Sequence, residues 1–267
     1  MDFSVTLEVP FYCSLQSYNA DLMKLFVLAS IMILLLPISN YAQPRNDSAI
    51  YFNGLFKPEP EQERIQYFGY PRKIKDKLYE VTFYTLDSQK VATGEFKRKN
   101  VRNRNGVFVL YNGYGNIIIT AIYRKGILNG VYQKFHANGN LSDSGLISKG
   151  NFIGIWKSWH PNGRLKEQRN YEFARGVRGS LFSVLTKEFK SYYPDGNPED
   201  SGYYRNNYRH GIWFEWLESG TIRSVGEYKN GWKKGTWKYY NAKGKLLYLR
   251  RFSSLKYDDE GERIEIK

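Results

Sequence analysis

Glycine and aromatic residues recur along most of the chain at a spacing of 24 residues. Each unit opens with a glycine, has an aromatic residue two positions later and another three positions after that, and reaches a second glycine nine positions from its start. An apolar residue and a further aromatic residue follow this second glycine. The clearest copies begin at Gly106, Gly130, Gly154, Gly211 and Gly235, and weaker copies begin at Tyr79 and Lys187. Such regular self-similarity indicates a repeat protein.

Each part of the unit is typical of a β-hairpin. The aromatic segment favours a strand, and Ala-Asn-Gly or Pro-Asn-Gly favours a turn in which glycine supplies the positive φ. A second short strand and a basic second turn lead to the next unit. We therefore predict an all-β fold, an elongated antiparallel sheet of about seven stacked β-hairpins. A flat strand would point the two aromatic residues to opposite faces, so either a bulge redirects one or both faces are covered.

The repeat domain is predicted at residues 79–252, and several segments depart from its period. The step lengthens by nine residues near 177–186, which predicts a surface loop over a hydrophobic patch or a partner-binding or hinge loop. Residues 43–78 match no repeat and are expected to cap the first hairpin. Residues 253–267 form a tail that could add a capping strand in EGERIEIK.

An apolar segment near the N-terminus predicts export. Residues 25–36, LFVLASIMILLL, follow Met23 and Lys24, and Ala42 is a small residue at which cleavage could occur. This arrangement is typical of a secretory signal peptide, which we assign to residues 23–42. The segment is shorter than the ~20 residues of a spanning helix, and an uncleaved anchor or a buried helix is the alternative. Residues 1–22 are then a misassigned start or a disordered extension.

The signal peptide would direct the protein to the periplasm, the outer envelope or the extracellular space. Cleavage would leave no membrane-spanning segment. Export also argues against nucleic acid as a partner, although stacked aromatic and basic residues are physically suited to it.

Composition limits the chemistry that the chain can perform. One cysteine excludes a disulfide framework and a thiolate metal site, and three histidines leave little for a triad or a histidine metal site. We expect His136 and His160 to be solvent-exposed beside turns, and His210 to lie in a turn. The sequence contains no Gly-x-Ser-x-Gly, His-Glu-x-x-His, phosphate-loop or Cys-x-x-Cys motif. We therefore expect no enzymatic activity, no cofactor and no metal.

Three strings carry a resemblance to a known family: GIWKSWHPNGRL, GIWFEWLESGTI with VGEYKNG, and GTWKYYNAKGKL. They resemble the MORN repeat, and more closely its variant form in bacterial proteins often labelled as antitoxin-type. The resemblance covers about residues 79–252. It implies a non-catalytic ribbon of hairpins used for binding or scaffolding, and MORN proteins are also associated with membrane lipids.

Basic residues outnumber acidic residues by 40 to 26, and many recur at the turns between hairpins. A regular repeat would set them along one rim, where they would attract phosphates, acidic polysaccharide or anionic lipid headgroups. The alternative is that they protect turns and edges against aggregation. The candidate residues for an anionic ligand are Lys97, Arg98, Lys99, Arg102, Arg104, Arg124, Lys125, Lys229, Lys233 and Lys234.

These observations lead to three hypotheses about function. The first is an exported, non-enzymatic repeat protein that binds or scaffolds a protein partner through an exposed sheet face. The second is an envelope-associated binder of anionic glycan or lipid that uses the basic rim. The third is an antitoxin-like neutraliser of a partner protein.

Overall fold

The computed structural model of the protein describes residues 49–253 and two further short strands, Lys256–Tyr257 and Arg263–Ile264. Sixteen strands form one open antiparallel sheet in which every strand pairs with the next along the chain. Their bounds are β1 Ile50–Phe52, β2 Tyr67–Lys75, β3 Leu78–Thr85, β4 Lys90–Phe96, β5 Arg104–Tyr111, β6 Ile117–Arg124, β7 Ile127–Phe135, β8 Leu141–Ser148, β9 Asn151–Trp159, β10 Leu165–Arg175, β11 Leu181–Tyr192, β12 Pro198–Arg205, β13 Tyr208–Trp216, β14 Ile222–Lys229, β15 Trp232–Tyr240 and β16 Leu246–Phe252. Two short 3₁₀ helices, Gln62–Arg64 and Val177–Gly179, interrupt this pattern. The predicted all-β fold is confirmed.

Seven hairpins, from β3–β4 to β15–β16, correspond to the seven copies of the sequence repeat. The turn between β9 and β10 shows how the sequence closes each hairpin. Gly163 has a φ of 83°, and its N–H donates to the carbonyl of His160 at 2.8 Å. The Asn162 side chain accepts from the N–H of Arg164 at 3.0 Å. The left-handed conformation would cost another residue about 1–2 kcal/mol, which explains the recurring glycine.

The two aromatic residues of each first strand point to opposite faces of the sheet. Trp213 is fully buried on one face, whereas Trp216 stacks on Phe214 with ring centres 5.7 Å apart. Because neighbours in a strand alternate, Phe214 lies on the face opposite Trp213. The pairing shifts between Glu215 and Trp216, but this bulge does not bring the two tryptophans together. We call the face that bears Trp213 the aromatic face and the other the reverse face.

Glycine allows three buried or half-buried tryptophans to lie flat against a neighbouring strand. A Cβ placed on Gly226 would lie 2.2 Å from the ring of Trp237, which is fully buried. The indole N–H of Trp237 donates to the carbonyl of Glu227 at 3.1 Å and fixes the ring. The same arrangement joins Gly145 to Trp156 and Gly202 to Trp213.

The core consists of two aromatic clusters at the two ends of the sheet. The N-terminal cluster includes Phe52, Phe56, Phe83, Phe96 and Phe108, and the C-terminal cluster is formed by Phe189, Trp213, Tyr228 and Trp237. The buried side chains of β8–β10, which lie between the clusters, are Ile147 and Ser158. The middle of the sheet is therefore more polar and more exposed than its ends.

The residues before β3 extend the sheet and cover part of its aromatic face. β2 pairs with β3 from Tyr67 to Lys75. Phe56 stacks on Tyr67 with ring centres 4.5 Å apart, and it contacts Phe83 at 5.0 Å and Phe108 at 5.6 Å. The cap assigned to residues 43–78 stays a prediction, since residues 43–48 lie outside the described part.

The predicted loop at 177–186 is largely strand. β10 and β11 continue to pair as far as Ala174 with Phe182 and Arg175 with Leu181, beyond the length of the other hairpins. Only the short 3₁₀ helix Val177–Gly179 and its flanking residues form the connection. The expectation of a surface loop was wrong because the inserted residues supply β-favouring side chains that add to the existing ladder.

Some predictions fall outside the described residues. The extension at 1–22 and the signal peptide at 23–42 are among them. In the tail, Lys256–Tyr257 pairs with Arg263–Ile264 in a separate two-stranded sheet and not with β16. Within the described part of the chain, no helix has the length and apolar character needed to cross a membrane.

Candidate binding surfaces

The turns of the sheet lie along two edges with different chemistry. Since successive strands reverse direction, every second turn falls on the same side. The basic edge consists of the turns that join β2–β3, β4–β5, β6–β7, β8–β9, β10–β11, β12–β13 and β14–β15. The asparagine edge consists of the alternate turns, including residues 136–140 and 160–164.

All ten candidate anion-binding residues lie at or next to the basic edge. Residues 97–99 and Arg102 occupy the β4–β5 connection, which closes around the buried side chain of Val101. The exposed members of the set are Lys97, Arg98, Lys99, Arg102, Arg124, Lys125 and Lys229, and the half-buried members are Arg104, Lys233 and Lys234. The sequence period therefore places these cations on one edge, while their role as a ligand site stays a prediction.

Two of the ten cations pack on aromatic rings. The guanidinium of Arg104 lies 4.3 Å from the ring centre of Phe108 and donates to the carbonyl of Leu55 at 2.7 Å. The ammonium of Lys233 lies 3.9 Å from the ring centre of Trp237. Such cation–π contacts hold the charged group against the sheet. Arg104 and Lys233 therefore stabilise the repeat, and the other eight residues are better placed for a ligand.

The basic edge also exposes large apolar side chains. Val177 is 83% exposed in the β10–β11 connection, and Trp232 and Ile127 are each 53% exposed beside their turns. Exposed apolar residues among lysines and arginines are typical of surfaces that meet membrane interfaces. The candidate site therefore offers apolar contacts in addition to the electrostatic attraction of anions.

The aromatic face carries an ion-pair cluster around the buried Glu215 in its C-terminal half. The carboxylate of Glu215 accepts from the hydroxyl of Ser224 at 2.5 Å and from Arg223 at 3.1 Å. Arg209 donates to Asp200 at 3.1 Å and lies 3.7 Å from Glu215. Every charge in the cluster faces an opposite one, so this geometry stabilises the sheet and leaves no free acid–base pair.

The two carboxylates of this cluster respond differently to their surroundings. Burial would raise the pKa of Glu215, but the Ser224 hydrogen bond and the charges of Lys233 and Arg223 lower it overall. Burial raises the pKa of Asp200 above its ordinary value, against the opposing charge of Arg209. Neither group is shared with a histidine among the described hydrogen bonds.

Two histidines are tied to neighbouring hairpins. The Nε2 of His136 donates to the carbonyl of Trp159 at 2.8 Å, and that of His160 donates to the carbonyl of Tyr192 at 2.7 Å. Both rings are half-buried, so the expectation that they are solvent-exposed was wrong. The reason is that consecutive turns stack closely along the asparagine edge. His210 is also not a turn residue, since it pairs with Tyr203 inside β13.

A cavity of about 170 Å³ lies beside these histidines, and polar side chains including Ser142, Ser158 and Glu167 line it. Its Ser158 hydroxyl donates to Glu167 at 3.0 Å and not to a histidine. Across residues 49–253, no cluster of three or more histidine, cysteine or carboxylate side chains could hold a metal ion. The absence of enzymatic activity, cofactor and metal stays a prediction.

The reverse face carries an exposed row of aliphatic side chains across β5–β9. We call it the aliphatic row, and its members are Val107, Ile122, Val131, Leu146, Ile153 and Ile155. Val107, Val131, Leu146 and Ile155 are 42–53% exposed. The row crosses five strands and is about 19 Å long at ~4.8 Å per strand spacing. Three of its members, Val107, Val131 and Ile155, directly follow the opening glycine of a repeat, a position that the sequence pattern left unspecified.

Comparison of the sequence with known protein families supports the 24-residue repeat in part of the chain. The family described as the MORN repeat variant matches residues 152–172, 185–206 and 209–230. Each matched segment corresponds to one hairpin, namely β9–β10, β11–β12 and β13–β14. The resemblance to the MORN repeat is confirmed for these three hairpins. No match is found among curated proteins.

Proposed function

We propose that the protein is an exported, non-enzymatic binding module whose aliphatic row docks a protein partner. The aliphatic row carries the proposal because it is a continuous apolar surface on the face that is not used for core packing. Similarity of three hairpins to the MORN repeat variant supports a binding role. Contiguous exposed apolar patches on soluble proteins typically mark interaction sites.

The flanks of the row favour a specific contact. On the N-terminal side, Glu95 lies beside Val107 and its carboxylate accepts from the Val107 N–H at 3.3 Å. On the other side, Ile155 pairs with Asn170. An apolar centre between polar flanks is the usual arrangement of a protein interface.

Site-specific photo-crosslinking in the native host tests this proposal. A crosslinking residue at Val131 should capture a defined partner, and the double variant Val131→Lys with Leu146→Lys should lose it while the fold is retained. Tyr114 is 93% exposed on the asparagine edge and serves as the matched control position. Equal capture from position 114 would contradict the proposal. A mature N-terminus at Gln43 would support the export part, and an intact Met1 would contradict it.

A second candidate function is binding of an anionic lipid surface or glycan at the basic edge. The exposed Val177, Ile127 and Trp232 among the exposed cations favour it. Cations would attract the anionic surface, and apolar side chains would enter a lipid interface. A glycan would use the charges alone.

Vesicles that contain phosphatidylglycerol and an immobilised acidic polysaccharide distinguish these ligands. Salt-sensitive binding should be lost in the triple variant Lys97→Glu, Arg98→Glu and Lys99→Glu. The variant Lys243→Glu with Lys245→Glu, on the asparagine edge, is the control. Val177→Ser should weaken binding to vesicles only. Binding that does not depend on salt would exclude this function.

A further inference from the structure

The last strand of the sheet has an exposed apolar edge. β16 pairs with β15 on one side, and it ends the order of the sixteen-stranded sheet in the described chain. Its first four residues, Leu246, Leu247, Tyr248 and Leu249, are 45%, 58%, 52% and 57% exposed. Because side chains alternate along a strand, these residues make both faces of the edge apolar. An edge of this kind is a template for a further strand.

The opposite end of the sheet is protected. β1 contains three residues and pairs only with residues 67–69 of β2. Pro58 bridges to Phe52 and lacks an N–H to donate to a further strand. The part of β2 beyond this contact carries Pro71, Arg72 and Lys73, which discourage pairing. In the described sheet, an unprotected apolar edge is therefore found at the β16 end and not at the β1 end.

Charge defines what the β16 edge can accept. The last hairpin, residues 232–252, contains seven cations and no carboxylate. They are Lys233, Lys234, Lys238, Lys243, Lys245, Arg250 and Arg251. Pairing β16 with β16 of a second copy would bring two such hairpins together, and like charges facing each other are destabilising. The charge of this hairpin therefore favours an acidic partner over a second copy.

The order of residues along β16 gives the partner a direction. The apolar residues 246–249 lie next to the asparagine edge, and Arg250 and Arg251 follow towards the basic edge. Every pairing in the sheet is antiparallel, and a strand that continues it would run from Arg251 towards Leu246. Acidic residues would then come first and apolar residues second in the incoming segment.

We propose that β16 is a strand-addition site for a partner protein that offers an extended segment with two acidic residues followed by three or four β-branched or aromatic residues. Main-chain hydrogen bonds to the free edge would supply affinity, and cross-strand contacts with the leucines and arginines would supply specificity. The site is separate from the aliphatic row, so it can fail or succeed independently of the proposed function.

A fluorescent peptide with the order Glu-Glu-Val-Tyr-Val-Thr tests the proposal on the full chain. Binding should be saturable, and hydrogen exchange should show slower exchange of the β16 amides. A peptide of the same composition in reverse order should bind about tenfold more weakly, because its charges then meet leucines. A peptide methylated at the alternate backbone nitrogens that face β16 should lose binding, because it cannot complete the ladder.

Protein variants separate strand addition from general attraction to a basic surface. The double variant Arg250→Glu with Arg251→Glu should bind at least about tenfold more weakly. The control Lys243→Glu with Lys245→Glu makes the same charge change in the adjoining turn and should leave affinity within about twofold, given salt screening. Circular dichroism of each variant verifies that the sheet is retained.

Four results would overturn the proposal. They are equal binding of the forward and reversed peptides, equal binding of the methylated peptide, and concentration-dependent dimerisation that protects β16 without peptide. The fourth is binding only after residues 254–267 are deleted, which would mean that the chain's own tail covers the edge.

Discussion

The guanidinium of Arg209 lies 4.2 Å from the ring centre of Trp213. The same side chain donates to Asp200 at 3.1 Å and lies 3.7 Å from Glu215. Equivalent contacts join Arg104 to Phe108 and Lys233 to Trp237, each cation lying two positions before a repeat's opening glycine. These cations therefore belong to the packing of the sheet.

Replacing Arg209 with alanine should destabilise the C-terminal hairpins by about 3 kcal/mol, because it removes the contact with Trp213 and leaves Asp200 and Glu215 without this partner. Arg205→Ala is the matched control, since Arg205 is exposed beside the same turn. That variant should change the free energy of unfolding by no more than about 0.5 kcal/mol. Urea unfolding followed by tryptophan fluorescence measures both, and equal effects would contradict a packing role for Arg209.

Gly226→Ala should destabilise the protein by about 1–3 kcal/mol, because the new methyl group would overlap the buried ring of Trp237. Gly113→Ala is the control, since its Cβ would meet only the flexible Gln89 side chain at 3.3 Å. Thermal unfolding of the two variants provides the measurement. If the two melting temperatures fall equally, close approach to Trp237 is not what requires glycine at position 226.

Most of the fold could be predicted from the 24-residue period, because turns and strands depend on nearby residues. Asn162 and Gly163 define a turn through local hydrogen bonds and a positive φ. Whether a bulge would redirect Trp216, and what the inserted residues would form, depends on the neighbouring strands and could not be predicted in this way. The face of Trp216 follows from strand alternation despite a bulge, and the insertion became strand because β10 offered a ladder to extend.

The candidate surfaces were only partly predictable for the same reason. The period placed the cations on one edge, but it could not show that Arg104 and Lys233 lie over the aromatic rings of Phe108 and Trp237. His136 was expected to be exposed, although its ring reaches Trp159 of the next hairpin. These contacts depend on how closely consecutive hairpins stack, which the sequence period does not report.

The carboxylate of Glu215 should make stability depend on acid pH. Its pKa in the folded protein is lowered, so its contribution is fully present above the ordinary glutamate pKa and is lost as pH falls through the lowered value. Glu215→Gln should cost about 2 kcal/mol at neutral pH, because the charged hydrogen bonds from Ser224 and Arg223 are weakened. The difference from the unchanged protein should shrink below about pH 4.

Unfolding by urea at pH 7 and pH 3 measures this difference. Glu218→Gln is the control, because Glu218 is exposed in the β13–β14 turn. A cost for Glu215→Gln that is the same at both pH values would show that the carboxylate contributes through its shape and not through its charge.

Ionisation of Tyr132 should lower the stability of the folded protein at alkaline pH. Burial, with the negative charge of Asp143 and the neighbouring Tyr123, raises its pKa from about 10 to about 12. Because the folded state favours the neutral phenol, its contribution to stability is complete below pH 10 and is lost as pH rises towards 12.

Tyr132→Phe should therefore remove the latest phenolate step in an absorbance titration and flatten the fall in stability above pH 10. Tyr114→Phe, at a 93% exposed position, should leave both the late step and that fall unchanged. A late step that persists in Tyr132→Phe would assign it to another buried tyrosine, such as Tyr67, whose pKa burial also raises.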